Sequence, residues 1–266
     1  MGESSNVQNL RPHRRVKRKR RHHSSKEIWQ KILVITVSKR PQNIKRMIRL
    51  NREMKRLGLA YTKIEGPYAE KHCPTPPFNK RKFKHGHHQG AGILMKEFMV
   101  DGDLAPEDWE HHKFQKYHLH LFQAATMTGH IRAWKVASQY HLERPKDYFL
   151  ILEDDATIPT LEDLRAAAAY GKEVNAEVIY LDSRNCLGES GVILPDQFQP
   201  GLAGYIVSAK AAYKLLRYIP VNTPVDWGLN MVANSHHLKA FCPDPLPIIE
   251  FKEKGRKSSV KHACGV

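Results

Sequence analysis

The sequence predicts an α/β fold with a mostly parallel central sheet flanked by helices. Three observations carry the prediction. Short β-branched runs alternate along the chain with segments of helical spacing. Two of those runs stop abruptly at acids, Glu153-Asp154-Asp155 and Asp182, as strands do when a ligand site lies beyond their carboxyl ends. With 266 residues and 41% hydrophobic composition the chain can also supply one sizeable core.

The elements follow in order. ILVITV, from Ile32, has the length and branching of a buried strand. PQNIKRMIRLNREMKRLG then sets Ile44, Met47, Ile48 and Leu57 at helical spacing before Gly58 stops it. A Pro-, Gly-, His- and Lys-rich insertion around 65–120, opening with EGPYAEKHCPTPPFNKRKFKHGHHQG, reads as long loops. Phe122 to Tyr140 reads as helix, ERPKD breaks it, and YFLIL is a second buried strand that runs into the acids. Thr160, with Asp163 three residues on, caps a helix that faces the core through Leu161 and Leu164 and is closed by Gly171. EVIYLD, residues 177–182, and GYIVS, residues 204–208, are further strands, and Ser208 caps the helix AKAAYKLLRYI. Neither GxGxxG nor GxxxxGK[ST] occurs, which argues against dinucleotide-binding and P-loop chemistry.

The net charge is +16, and half of the excess lies in one segment, since eight of the eleven residues 11–21 are Lys or Arg. Without apolar periodicity that segment cannot offset its ordering entropy by burial, so residues 1–26 are expected to be a disordered basic arm. Such an arm attracts phosphate in nucleic acid or an anionic membrane, or is simply solvated. Residues 27–266 are expected to form a single domain. No apolar stretch suits a bilayer span or a signal peptide, and Cys73, Cys186, Cys242 and Cys264 are too scattered for a zinc site. The expectation is reduced thiols and a cytoplasmic location.

The acids permit two readings. Glu153 and Asp155 should share one face of the strand and Asp154 the other, unless the chain has already turned. One or two carboxylates suffice for Mg²⁺ or Mn²⁺ when substrate phosphates fill the remaining positions. Alternatively, the acids cap the following helix or pair with Lys and Arg.

Five segments in sequence, ILVITVSKRPQNIKRM, GHIRAW, FLILEDDATIP, GLAGYIVSAKAAYKLL and PVDW, resemble the family 25 glycosyltransferases, which include lipooligosaccharide and procollagen galactosyltransferases. The resemblance spans residues 32 to about 260. It implies a GT-A-type nucleotide-sugar-binding fold, an inverting transfer from a UDP-sugar, galactose by default, and a glycan or glycoprotein acceptor. By the same resemblance the metal, Mn²⁺ or Mg²⁺, falls to Asp154 and Asp155, with Glu153 left in a supporting place. Val37, Ser38, Lys39 and Arg40 would lie near the nucleotide, with His130, Gly204 and Tyr205. Thr36-Val37 stands where the family has Asn-Leu, and Gln123-Ala124-Ala125-Thr126 where it has Glu-Ile-Gly-Cys. A late histidine completes some such metal sites, which singles out His236.

Inversion requires a carboxylate to take the acceptor's proton. Asp226 is the candidate base, with a helix N-cap as its structural alternative, and Trp227 beside it offers an apolar face to a sugar ring. Asp182 is the alternative base or a ribose contact. The clusters at His85, His87, His88 and at His111, His112, His118, His120 lack zinc-ligand spacing and read as polar side chains facing solvent in an insertion. The runner-up function is a non-catalytic transferase-like fold acting as a nucleic-acid or membrane adaptor. A third, a metal-dependent nuclease, leaves the five ordered segments without an account.

Overall fold

The structure, a computed structural model, describes residues 28–39, 41–68, 121–182, 202–219, 224–236, 238–243 and 249–250. The basic arm and most of the insertion lie outside these residues. Strand β1 (Lys31–Thr36) feeds helix α1 (Pro41–Arg56), and β2 (Thr62–Glu65) follows. After the insertion come α2 (Leu121–Ser138), β3 (Tyr148–Glu153), β4 (Ala156–Thr157), α3 (Leu161–Glu173) and β5 (Val178–Tyr180). Then β6 (Gly204–Ser208), α4 (Ala209–Tyr218), α5 (Val225–Ser235), β7 (Ala240–Phe241) and β8 (Ile249–Glu250) complete the order.

Six strands form one sheet in the order β2-β1-β3-β6-β5-β7, while β4 and β8 pair separately. β1 runs parallel to β2 and β3, and β5 parallel to β7. β6 is antiparallel to both neighbours, so it alone opposes the other five strands. The expected α/β class with a mostly parallel sheet is what the chain adopts.

Alternation along β3 builds a core on each face of the sheet. Phe149 and Ile151 pack with Met127, Trp134, Leu215 and Leu229 on the side of α2, α4 and α5. Tyr148, Leu150 and Leu152 pack with Leu50, Met54 and Leu164 on the side of α1 and α3. Each such fully buried leucine contributes about 1.5–3 kcal/mol.

Three local expectations hold to the residue. Thr160 Oγ1 accepts from the Asp163 amide at 3.2 Å and Ser208 Oγ from the Ala211 amide at 3.1 Å, each satisfying a first-turn N–H. Gly58 ends α1 in a left-handed conformation, φ +67°.

Two expectations are corrected. Gly171 does not close α3, which continues to Glu173; Asn175, at φ 54°, makes the left-handed turn. A Cβ on Gly171 would stand 2.1 Å from Ile179 Cδ1, so this glycine lets α3 press onto β5. Cys242 is 1% exposed and disulfide-bonded, not a reduced thiol. Its partner lies outside the described residues, and a disulfide is what an oxidising compartment favours.

Candidate active site

The carboxyl ends of β1, β3 and β5 lie along one edge of the sheet, and the acids gather there. Glu153 is the last residue of β3 and keeps the strand's alternation, pointing to the α2 side. The chain then turns at Asp154-Asp155. Because of that turn both aspartates meet the same side chain of α1: Arg46 Nη1 lies 3.4 Å from Asp154 Oδ1 and 3.4 Å from Asp155 Oδ2. The pairing of Glu153 with Asp155 on one face, expected for an unturned strand, is not what forms.

Asp154 is 5% exposed, and Thr36 at the end of β1 donates its hydroxyl to Asp154 Oδ2 at 2.6 Å. Burial pushes its carboxyl up to about 6; Thr36 and Arg46 act in the opposite direction, and Asp155 adds to the rise. Desolvation outweighs the ion pair because 3.4 Å is long for a charge-assisted contact.

Arg49, one turn along α1, donates to the Ala156 carbonyl at 3.0 Å and to Thr157 Oγ1, and pairs with Glu53 at 3.6 Å. Glu53 in turn accepts from the Ile158 amide at 2.8 Å. Burial lowers the Arg49 guanidinium from its ordinary value, with Glu53 opposing. One face of α1 thus holds residues 154–158 in place.

A different network supports Glu153. Its Oε1 lies 3.1 Å from His130 Nε2, and His130 Nδ1 lies 3.0 Å from the Tyr205 hydroxyl, which accepts from Trp134 Nε1 at 2.7 Å. Burial lowers His130 to about 3, so the ring is neutral. A carboxylate only accepts, so Nε2 carries the proton and donates to Glu153; Nδ1 then accepts from Tyr205. His130, Tyr205 and Trp134 are all 0% exposed. His130 and Tyr205, expected near the nucleotide, are enclosed, and His130 reaches the edge of the sheet through its hydrogen bond to Glu153. Gly204 is likewise buried in β6 opposite Leu152.

The row continues through one peptide unit. The Glu153 amide donates to the Ala203 carbonyl at 2.9 Å, and the Ala203 amide donates to Asp182 Oδ2 at 2.8 Å. Asp182 is 0% exposed and closes the end of β5. Asp226 sits in the first turn of α5, inside the helix and not at its cap, where an acid complements the dipole. It lies near enough to Tyr180 to add to the rise that burial imposes on that phenol. Trp227, next to it, is 46% exposed.

On the outer side, Ser38 donates its amide at 2.6 Å and its hydroxyl at 2.7 Å to Glu65, the end of β2. Burial would raise Glu65, but these two bonds and Lys63 outweigh it and hold the carboxyl below its ordinary value. Val37 is half-buried and Lys39 exposed at the same end, whereas Arg40 lies outside the described residues. His236 stacks on the Tyr218 ring, centroids 3.8 Å apart, and among the described residues it forms no three-ligand group with the aspartates.

Sequence inspection missed Thr36, Arg46 and Arg49. The available signal was positional. Arginines at 46 and 49, with Glu53 four residues on, lie on the arc of α1 between its buried and exposed faces, directly after a strand that parallels the acidic one.

No family model matches the sequence, and no curated protein matches it. Among solved structures, similarity extends to a glycosyltransferase involved in the glycosylation of the major capsid of PBCV-1. The identity is 10%, the match covers 85% of this chain and 94% of that one, and the TM-score is 0.38. A likeness at that level carries no information about chemistry.

Proposed function

We propose that the protein is an inverting glycosyltransferase of the GT-A type, dependent on Mn²⁺ or Mg²⁺. Its donor is a UDP-sugar, galactose by default, and its acceptor a hydroxyl of a glycan or glycoprotein. The observation that carries this reading is the turn Asp154-Asp155, two carboxylates held around one cationic group at the carboxyl end of a central strand. Their chemistry fits a hard divalent cation. Both donors are carboxylate oxygens, the ligand type that a hard divalent cation takes, and they already gather around one positive group, Arg46, at 3.4 Å from each.

Asp154 and Asp155 would hold the metal, which when bound neutralises charge on the departing diphosphate. Thr36 fixes the Asp154 carboxylate by its hydrogen bond. Arg46 and Arg49 bring positive charge to the same turn, where a diphosphate needs it. Asp226, more exposed than the enclosed Asp182, takes the proton of the acceptor hydroxyl, and Trp227 offers its ring to the acceptor sugar. Asp182, bound to the Ala203 amide, keeps the ends of β5 and β6 together.

The test is ligand-induced stabilisation followed by turnover. UDP with Mn²⁺ raises the melting temperature, and Asp155→Ala removes the rise. Asp226→Asn keeps the rise and loses slow hydrolysis of the nucleotide sugar. A rise that survives Asp154→Ala and Asp155→Ala together would sink the metal assignment. One observation favours a second reading: Arg46 already ion-pairs both aspartates, as in a purely structural turn of a non-catalytic adaptor that binds nucleic acid or a membrane through its basic arm. That reading expects no response to UDP and Mn²⁺, with salt-sensitive polyanion binding that disappears with residues 11–21.

A further inference from the structure

Helix α1 has two faces, and among the described residues the fold packs on one of them and touches the other at Asn51, which accepts from the Tyr61 hydroxyl. Inward, Asn43, Leu50 and Met54 are buried and Met47 packs beside them, while Arg46, Arg49 and Glu53 hold the acidic turn. Outward stand Ile44, Lys45, Ile48, Asn51, Arg52, Lys55 and Arg56, all exposed. Ile44 is 48% and Ile48 47% exposed, and at i, i+4 they form one apolar ridge that Lys55 continues. Lys45, Arg52 and Arg56 flank it on one side. This outward arc holds four cations and no acid, because Glu53, the helix's single acid, is turned inward with 12% of its side chain exposed.

A face made for solubility alone mixes both signs and avoids paired isoleucines. One made for the core of an oligomer carries fewer cations. An apolar ridge bordered by Lys and Arg is the pattern of a helix that lies in a lipid interface. We propose that the outward face of α1 docks on an anionic bilayer, with Ile44 and Ile48 entering the headgroup–acyl boundary and Lys45, Arg52, Lys55 and Arg56 meeting the lipid phosphates. Nucleic acid would use the four cations and leave the isoleucine ridge in water, so the membrane accounts for both features. The basic segment 11–21 adds positive charge on the same chain, which strengthens attraction to an anionic surface without being needed for the helix face to dock. Since α1 carries the acidic turn on its opposite face, docking would set that turn about one helix diameter, roughly 10 Å, from the lipid surface. The surface stands independently of the transferase reading.

The test is co-sedimentation of the full chain with phosphatidylcholine vesicles, with and without phosphatidylserine. Binding to the serine-containing vesicles is expected, and not to phosphatidylcholine alone. Ile44→Gln with Ile48→Gln, exposed and helix-compatible, should weaken it about tenfold, and Lys45→Glu with Arg52→Glu at least as much, about fivefold being expected per cation. Circular dichroism melting should be unchanged in both variants. Single-stranded RNA provides the contrast, its binding falling with the charge reversals and indifferent to the isoleucines. Vesicle binding that is likewise indifferent to Ile44 and Ile48, or that disappears wholly with residues 11–21, would overturn the proposal and assign the contact to phosphate attraction by the arm.

Discussion

Asp154 is expected to weaken the fold as pH rises, opposite to most paired aspartates. Its carboxyl is raised from 3.8 to about 6, mainly by burial, so the folded protein holds its proton more tightly than the unfolded chain does. A raised acid costs nothing well below 3.8, and its penalty grows between 3.8 and 6 and is complete above. By linkage the cost is about 1 kcal/mol at about pH 4.5 and about 3 kcal/mol at about pH 7.5. Asp154→Asn keeps an oxygen for the Thr36 hydroxyl and removes the charge. Urea denaturation of the two proteins at both pH values reports the contribution of Asp154 together with its coupling to Asp155, because titrating groups that do not interact with Asp154 cancel in the difference. The asparagine variant should gain about 2 kcal/mol on the wild type between the lower and higher pH. Under the proposed metal role Mn²⁺ at the higher pH returns part of that difference. Stability curves that run parallel across the range would refute the reasoning, showing that Arg46 and Thr36 compensate the buried charge in full.

Two further outcomes concern the scaffold. Tyr205→Phe strips the acceptor from Trp134 Nε1 and the donor from His130 Nδ1, both fully buried, and should destabilise by about 2–5 kcal/mol. Adding Trp134→Phe should cost less than the sum of the separate changes, measured by a double-mutant cycle in urea. Gly171→Ala puts a methyl 2.1 Å from Ile179 Cδ1 and 2.9 Å from Cγ1 and should cost about 1–3 kcal/mol, read as a lower denaturation midpoint with an unchanged m-value.

Much of the scaffold was legible because it is written in local patterns. The β-branched run at Ile32–Thr36 and the caps at Thr160 and Ser208 each depend on residues within one turn or strand, and each formed as read. Gly171 misled because a glycine late in a helix signals either termination or close approach, and only the position of Ile179 decides which. The direction of β6 was not legible either, since GYIVS reads the same in a parallel or an antiparallel partner. In the site, Asp154 and Asp155 converge on Arg46, a contact no local spacing reveals because Arg46 is 108 residues from Asp154. His130 and Tyr205 were picked as ligand contacts from resemblance. The structure buries both and joins them to Glu153 by hydrogen bonds, and burial of a lone histidine cannot be read from spacing.

The link from Glu153 to Asp182 passes through the backbone of Glu153 and Ala203 and meets a side chain only at its end, the Asp182 carboxylate. Nineteen of the twenty amino acids would write the same two hydrogen bonds at that position, and proline alone, lacking the amide hydrogen, would erase the one to Asp182. A connection between the ends of two strands is thus stored where comparing side chains cannot find it. Position 203 is fully buried, so packing limits the size of its side chain, while the two hydrogen bonds that join β3 to β5 ask nothing of that side chain.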